Sequence, residues 1–216
     1  MANLSVNLCG IQLKNPVITA SGTFGFGREF NELYDIGVLG GVSTKGLTLD
    51  ARLGNPVPRI AESRGVILNA VGLQNPGVEH FIKYDLEWLK STGTAVIANV
   101  AGKTLEDYKH ICEKLDGLVD MVELNISCPN VKSGGMAFGI KPETVEEVTR
   151  YAKNGLKKTP LMVKLSPNVE SIATNARSAE NGGADAVSLI NTLTGMAIDI
   201  ERRRPIIANN TGGVSG

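Results

Sequence analysis

The sequence predicts an α/β protein of the (β/α)8, or TIM, barrel class, and three observations point there. Six short runs rich in Val and Ile recur along the 216 residues, helical periodicity fills most of the gaps between them, and nearly every run ends on a hydrogen-bonding side chain. Apolar runs without polar alternation are those of parallel strands covered on both faces. Strand–helix alternation implies a parallel sheet. Polar groups delivered from six strand ends to one rim favour a barrel, because a doubly wound sheet concentrates them at one switch point.

The first run, residues 16–20, is followed by Ser21, and the second, 40–44, leads into Thr44 and Lys45. Residues 49–73 show neither period and read as a long loop, which inside a compact domain is usually functional. Val78, Phe81, Ile82, Leu86 and Leu89 then form one helical stripe, stopped at Ser91-Thr92-Gly93. The third run, 95–100, contains Asn99. In 104–118, Leu105, Tyr108, Ile111, Cys112 and Leu115 share a helix face behind Thr104 as N-cap. The fourth run, 121–126, holds Asn125 and precedes Ser127. Pro142 suits a first helical turn ahead of Val145, Val148 and Ala152. The fifth run, 161–165, carries Lys164, and Val169, Ile172, Ala173, Ala176 and Ala179 make a stripe closed by Gly182-Gly183. The sixth, 186–190, closes on Asn191-Thr192. A closed barrel of this class usually needs about 250 residues. The expectation is therefore one domain over 1–216, incomplete at its C-terminus by roughly two β/α units, with the first and sixth strands as open edges.

Lys plus Arg equals Asp plus Glu at 22 each, so the chain has no electrostatic footprint for nucleic acid or an anionic membrane. Three scattered cysteines, Cys9, Cys112 and Cys128, do not suggest a disulfide framework and fit a reduced compartment. With no leader pattern and no run of eighteen apolar residues, a cytoplasmic protein is expected.

Cys128 is the sharpest chemical feature. It follows a strand end within Asn125-Ile126-Ser127-Cys128-Pro129-Asn130, ahead of Gly134-Gly135, where a thiolate can act as nucleophile or base. Cys9 and Cys112 read as small buried apolar residues. His80 and His110 read as solvated helix-face residues, and neither has ligand spacing to a cysteine, so no metal site is expected. Gly22, Gly25 and Gly27 lack the spacing of a dinucleotide loop and read as punctuation. Lys45 and Lys164 are strand lysines in apolar runs, better explained by an anionic ligand than by snorkelling alone. Asn69, Asn99, Asn125 and Asn191 add amide donors and acceptors suited to a planar heterocycle.

The segments that carry these residues make the chain resemble the dihydroorotate dehydrogenases over essentially its whole length. In order they are Asn15-Pro16-Val17-Ile18-Thr19-Ala20-Ser21-Gly22-Thr23-Phe24-Gly25, Gly41-Val42-Ser43-Thr44-Lys45-Gly46, Asn69-Ala70-Val71-Gly72-Leu73-Gln74-Asn75-Pro76-Gly77, the Cys128 loop, Val163-Lys164-Leu165-Ser166-Pro167, Asn191-Thr192 and Thr211-Gly212-Gly213-Val214-Ser215-Gly216. Each alone is weak; the ordered set is specific. A cysteine in the catalytic loop resembles the soluble class 1 enzymes, and the surrounding runs resemble class 1B.

That resemblance implies oxidation of dihydroorotate to orotate in de novo pyrimidine (UMP) synthesis, with FMN on this chain. It further implies a partner subunit that carries FAD and a 2Fe–2S iron–sulfur cluster and passes electrons to NAD, with a homodimer of catalytic subunits inside a heterotetramer. By position, Ser21, Lys45, Gly46, Asn99, Asn125, Lys164, Ile190 and Gly216 would contact FMN. Lys45, Asn69, Ala70, Val71, Gly72, Leu73, Asn125, Asn191 and Thr192 would hold the substrate. Cys128 would remove the proton from the ring carbon beside the carboxylate-bearing one, and hydride would leave the latter for the flavin. A flavin domain like that of dihydropyrimidine dehydrogenase is the nearest alternative, disfavoured by Lys45 and the 69–73 stretch. A non-catalytic barrel fragment is the other, separable by flavin absorbance.

Overall fold

All six predicted runs form strands, and those strands make one sheet. The computed structural model describes residues 2–63, 65–127 and 138–216. Cys128 and the Gly134-Gly135 pair lie outside the described residues. The chain opens with a hairpin, β1 (Val6–Leu8) and β2 (Ile11–Leu13), and then enters β3 (Ile18–Thr19), the short helix α1 (Arg28–Asn31) and β4 (Gly41–Ser43). A second hairpin, β5 (Ile60–Ser63) and β6 (Val66–Asn69), precedes helices α2 (Val78–Tyr84) and α3 (Leu86–Ser91). Next come β7 (Ala95–Val100), α4 (Leu105–Leu115), β8 (Met121–Asn125), α5 (Pro142–Asn154), β9 (Leu161–Lys164), α6 (Ile172–Asn181) and β10 (Ala186–Ser188). The last segment holds β11 (Leu193–Gly195), β12 (Ile198–Asp199), β13 (Arg204–Pro205) and β14 (Gly212–Ser215).

The main sheet is parallel in the order β10-β9-β8-β7-β4-β3, so the first and sixth runs are its edges. It is a curled half-barrel. In a flat sheet β4 and β10 would stand about 19 Å apart, four strand spacings. Yet Ser43 on β4 and Ser188 on β10 both bond the side chain of Glu123 on β8, at 2.7 and 2.8 Å. Only a sheet rolled towards the Glu123 face brings them there.

The outer face is apolar. Val42, Val96, Ala98, Val100, Val122, Leu124 and Val163 are buried against the helices, whose stripes supply Phe81, Leu89, Tyr108, Ile111, Val145 and Val148. Each such side chain is worth about 1.5–3 kcal/mol when fully buried. Thr104 caps α4 in a reciprocal capping box with Asp107, and Pro142 occupies the first turn of α5. Cys112 is fully buried on the core face of α4, and burial pushes its thiol up to about 12. At the strands' N-terminal ends the inner face is also apolar. There Ile97, Met121 and Met162 pack with Leu8 and Ile11 of the first hairpin, which plugs the end of the half-barrel.

Three expectations are corrected. Residues 49–73 are not a structureless loop: β5 and β6 form a hairpin inside a four-stranded antiparallel sheet, β11-β14-β6-β5. Its other two strands come from residues 193–215, so local periodicity could not announce it. The 78–89 stripe is not one helix. It breaks at Asp85, a buried carboxylate that accepts from Arg28 Nε at 3.1 Å. Cys9 is exposed rather than buried, because it forms the tight turn of the first hairpin with Gly10, at φ 51° and 87°. His80 and His110 are exposed on α2 and α4, as expected. No helix among the described residues is long and apolar enough to cross a membrane.

Candidate active site

Along β8 the inward side chains are Met121, Glu123 and Asn125, so the concave face grows polar towards the strands' C-terminal ends. Strand register sets Asn99 beside Glu123, Asn125 beside Lys164, and Lys164 beside Ser188. Glu123 is 4% exposed and accepts three hydrogen bonds: Ser43 Oγ at 2.7 Å and Asn99 Nδ2 at 2.6 Å on Oε2, and Ser188 Oγ at 2.8 Å on Oε1. A buried carboxylate is tolerable when so satisfied.

Above that layer two buried polar atoms are left over among the described residues, Asn99 Oδ1 and Ser127 Oγ. Asn99 is fully buried, and its Oδ1 has no hydrogen-bond partner among the described residues. A stranded acceptor costs about 1–3 kcal/mol, so it marks a place where a ligand donor belongs. Gly46 faces this atom. A Cβ there would lie 3.0 Å from Asn99 Oδ1 and 3.2 Å from Leu73 Cδ2, tighter than ordinary packing, so only glycine leaves this cradle open.

Lys45 is half-buried next to the cradle. Burial first, and the Arg59 guanidinium second, hold its ammonium below the ordinary lysine value. A half-buried ammonium whose charge is disfavoured by its surroundings is a candidate to meet an anion. Ser21 joins the ends of β3 and β4 by donating to Thr44 O at 2.6 Å. Asn125 Oδ1 accepts from Asn191 Nδ2 at 3.1 Å and from Ser127 N at 3.3 Å, which ties β8 to the segment after β10. Asn191 Oδ1 in turn accepts from Thr192 N at 2.9 Å.

Residues 69–73 cross the rim. Asn69 Nδ2 reaches Gly213 O at 3.4 Å, Ala70 O and Val71 O accept from Asn55, and Gly72 and Leu73 turn through positive φ. Asn75 anchors the stretch: its Oδ1 accepts from Thr48 N and Gly77 N, while its Nδ2 donates to Thr48 Oγ1 and Leu73 O. Ile190 lies exposed between Ser188 and Asn191, at the open sheet edge. Gly216 is not brought to the cradle. It packs on Gly65 and Val66, at the end of β6 opposite Asn69. Among the described residues no cluster of metal-ligating side chains occurs. Arg59 and Glu123 border the candidate site without having been put forward by the sequence, although Glu123 left a signal as a charge in the middle of an apolar strand; Asn75 entered only as part of the 69–77 segment.

Residues 3–216 match the family model described as "Dihydroorotate dehydrogenase". The chain belongs to the dihydroorotate dehydrogenase family. Within the family it is 57% identical over 215 residues to the "Dihydroorotate dehydrogenase B (NAD(+)), catalytic subunit" of Alkaliphilus oremlandii (strain OhILAs), covering 99% of this chain and 71% of that one. A protein of the same description from Bacteroides fragilis is 56% identical over 218 residues, covering 100% and 72%. One from Caldicellulosiruptor saccharolyticus is 55% identical over 214 residues, covering 99% and 71%.

Proposed function

We propose that this chain is the FMN-bearing catalytic subunit of an NAD-linked dihydroorotate dehydrogenase, oxidising dihydroorotate to orotate in pyrimidine synthesis. The observation that carries the reading is the cradle: a buried acceptor, Asn99 Oδ1, unpartnered among the described residues and facing a glycine, beside a half-buried lysine whose charge is disfavoured until an anion arrives. A flat ring with polar edges suits these groups, so the residues present fit FMN. When bound, FMN supplies the two-electron acceptor. Ser21, Lys45, Gly46, Asn99, Asn125, Lys164 and Ile190 would hold it, with Gly216 carried as a candidate on resemblance.

Lys45 would also bind the substrate carboxylate, a charge-assisted contact strengthened by partial burial. Asn125 and Asn191 brace one another, which pre-orients the amides that read the pyrimidine edge. Asn69, Ala70, Val71, Gly72, Leu73 and Thr192 would close the substrate side. Cys128, next in the chain after Ser127, would take the ring proton as base. Lys164 has no ion-pair partner among the described residues, which suits it to meet negative charge at the cofactor. The partner would be an electron-transfer subunit with FAD and a 2Fe–2S cluster, in a cytoplasmic heterotetramer around a homodimer of this chain.

The test is direct. The full-length protein should be yellow, and anaerobic dihydroorotate should bleach its flavin band. A flavin-loaded protein that dihydroorotate leaves oxidised would overturn the assignment.

A further inference from the structure

Glu123 is a carboxylate buried under the cradle, with no cation in ion-pair reach among the described residues. An apolar side chain there would extend the packed layer of Ile97, Met121 and Met162 at no desolvation penalty. Its presence calls for a reason other than stability. Asn99 provides one. The two ends of an amide are nearly equal in shape and differ only in what they can donate or accept. A carboxylate accepts, so the end of Asn99 that meets Glu123 Oε2 at 2.6 Å must be Nδ2. Rotated the other way, the amide would bring two acceptors together without a hydrogen between them. Ser43 and Ser188 bond the same carboxylate at 2.7 and 2.8 Å and fix its plane, so it cannot turn away to accommodate that rotation. The consequence is that Oδ1, buried and without a partner among the described residues, faces Gly46 and the cradle.

We propose that Glu123 is a positioning residue that locks the Asn99 amide with Oδ1 towards the ligand, so that the site demands a hydrogen-bond donor there; the proposal rests on the flavin reading above. Glu123 itself is covered by Asn99 and the two serines and acts only through them.

The test is a double-mutant cycle on the full-length protein, read as FMN affinity by quenching of flavin fluorescence, with the absorption band of bound flavin as a second signal. Glu123→Gln offers Asn99 a donor as well as an acceptor and releases the lock. It should weaken FMN binding about tenfold or more, as expected for losing one buried polar contact. In an Asn99→Ala background the same change should alter affinity by less than about twofold, because the amide through which it acts is gone. The paired variant Glu123→Gln/Asn99→Asp reverses the donor and acceptor between the two side chains and again leaves an oxygen facing the cradle. It should recover most of the lost affinity and return the flavin band towards its parental position. It also supplies the readout if Glu123→Gln alone does not fold. Equal losses from Glu123→Gln in both backgrounds, or no recovery in the paired variant, would overturn the positioning role while leaving the flavin reading intact. A parent protein without FMN affinity would overturn the flavin reading itself, and this role with it.

Discussion

The two faces of the central sheet share a backbone but divide the labour. Outward from β8, Val122 and Leu124 are fully buried among helix side chains, and nothing distinguishes one end of the strand from the other. Inward, the same strand passes from Met121 to Glu123 to Asn125: an apolar plug, then a carboxylate that gathers three strands, then a rim amide. The outer face is specified by volume and apolarity, which many residues could satisfy. The inner face is specified by direction, since each polar group there is fixed by what its neighbour can accept. Stability should therefore reside chiefly outside, and chemistry inside.

The sharpest way to break this division is at the rim. Cys128→Ser should leave the melting temperature and FMN content unchanged and lower dihydroorotate oxidation by about two orders of magnitude or more, the usual worth of a positioned base. The loss should shrink at high pH, where the hydroxyl, a weaker acid than the thiol, begins to be deprotonated. Near-parental turnover at neutral pH would remove Cys128 from the role. The opposite dissociation is expected from Leu124→Ala on the outer face. It should cost about 2–5 kcal/mol in denaturant unfolding, yet the protein that remains folded should keep its parental KM. A KM change comparable to that of a rim variant would mean that the two faces are not separable.

How much of this was legible in the sequence follows the same division. The outer face was readable because parallel strands between helices need uninterrupted Val, Ile and Leu, and all six runs became strands of one sheet in register. The N-cap at Thr104 and the first-turn proline at Pro142 are local signals, and both helices start where these residues place them. The β5–β6 hairpin was not readable, because its sheet is completed by strands some 130–150 positions later and its own alternation is interrupted by exposed Ile60 and Ile67. Lys45 and Asn99 were found as polar residues where an apolar run should continue. Glu123 obeys the same rule but sits mid-run rather than at a strand end, where a polar residue carries less signal. Arg59 could not be found at all: it comes from an irregular stretch, and its closeness to Lys45 exists only in three dimensions.

A smaller effect sharpens the inner face. Lys45→Ala should weaken orotate binding by roughly ten- to a hundredfold, as for loss of a hydrogen bond to a charged group. Uracil, which has no carboxylate, should lose much less, so the ratio of the two affinities is the measurement. An unchanged ratio would show that the lysine does not read the carboxylate.

The smallest effect expected is a pH dependence, and its sign follows from the environment of Lys45. Burial and Arg59 lower its pKa below the ordinary lysine value of 10.5 in the ligand-free protein. A bound carboxylate favours the charged form and raises it again. Orotate affinity is therefore full while free Lys45 is protonated, falls as pH rises through its lowered pKa, and levels off above the raised pKa of the complex. Titrating orotate into the oxidised flavoprotein at increasing pH should show affinity falling as free Lys45 loses its proton. Arg59→Gln removes one of the two causes and should move the onset to higher pH. In Lys45→Ala the curve should be flat over the same interval. A parental decline that persists unchanged in Lys45→Ala would assign the titration to another group and separate the lysine from the anion site.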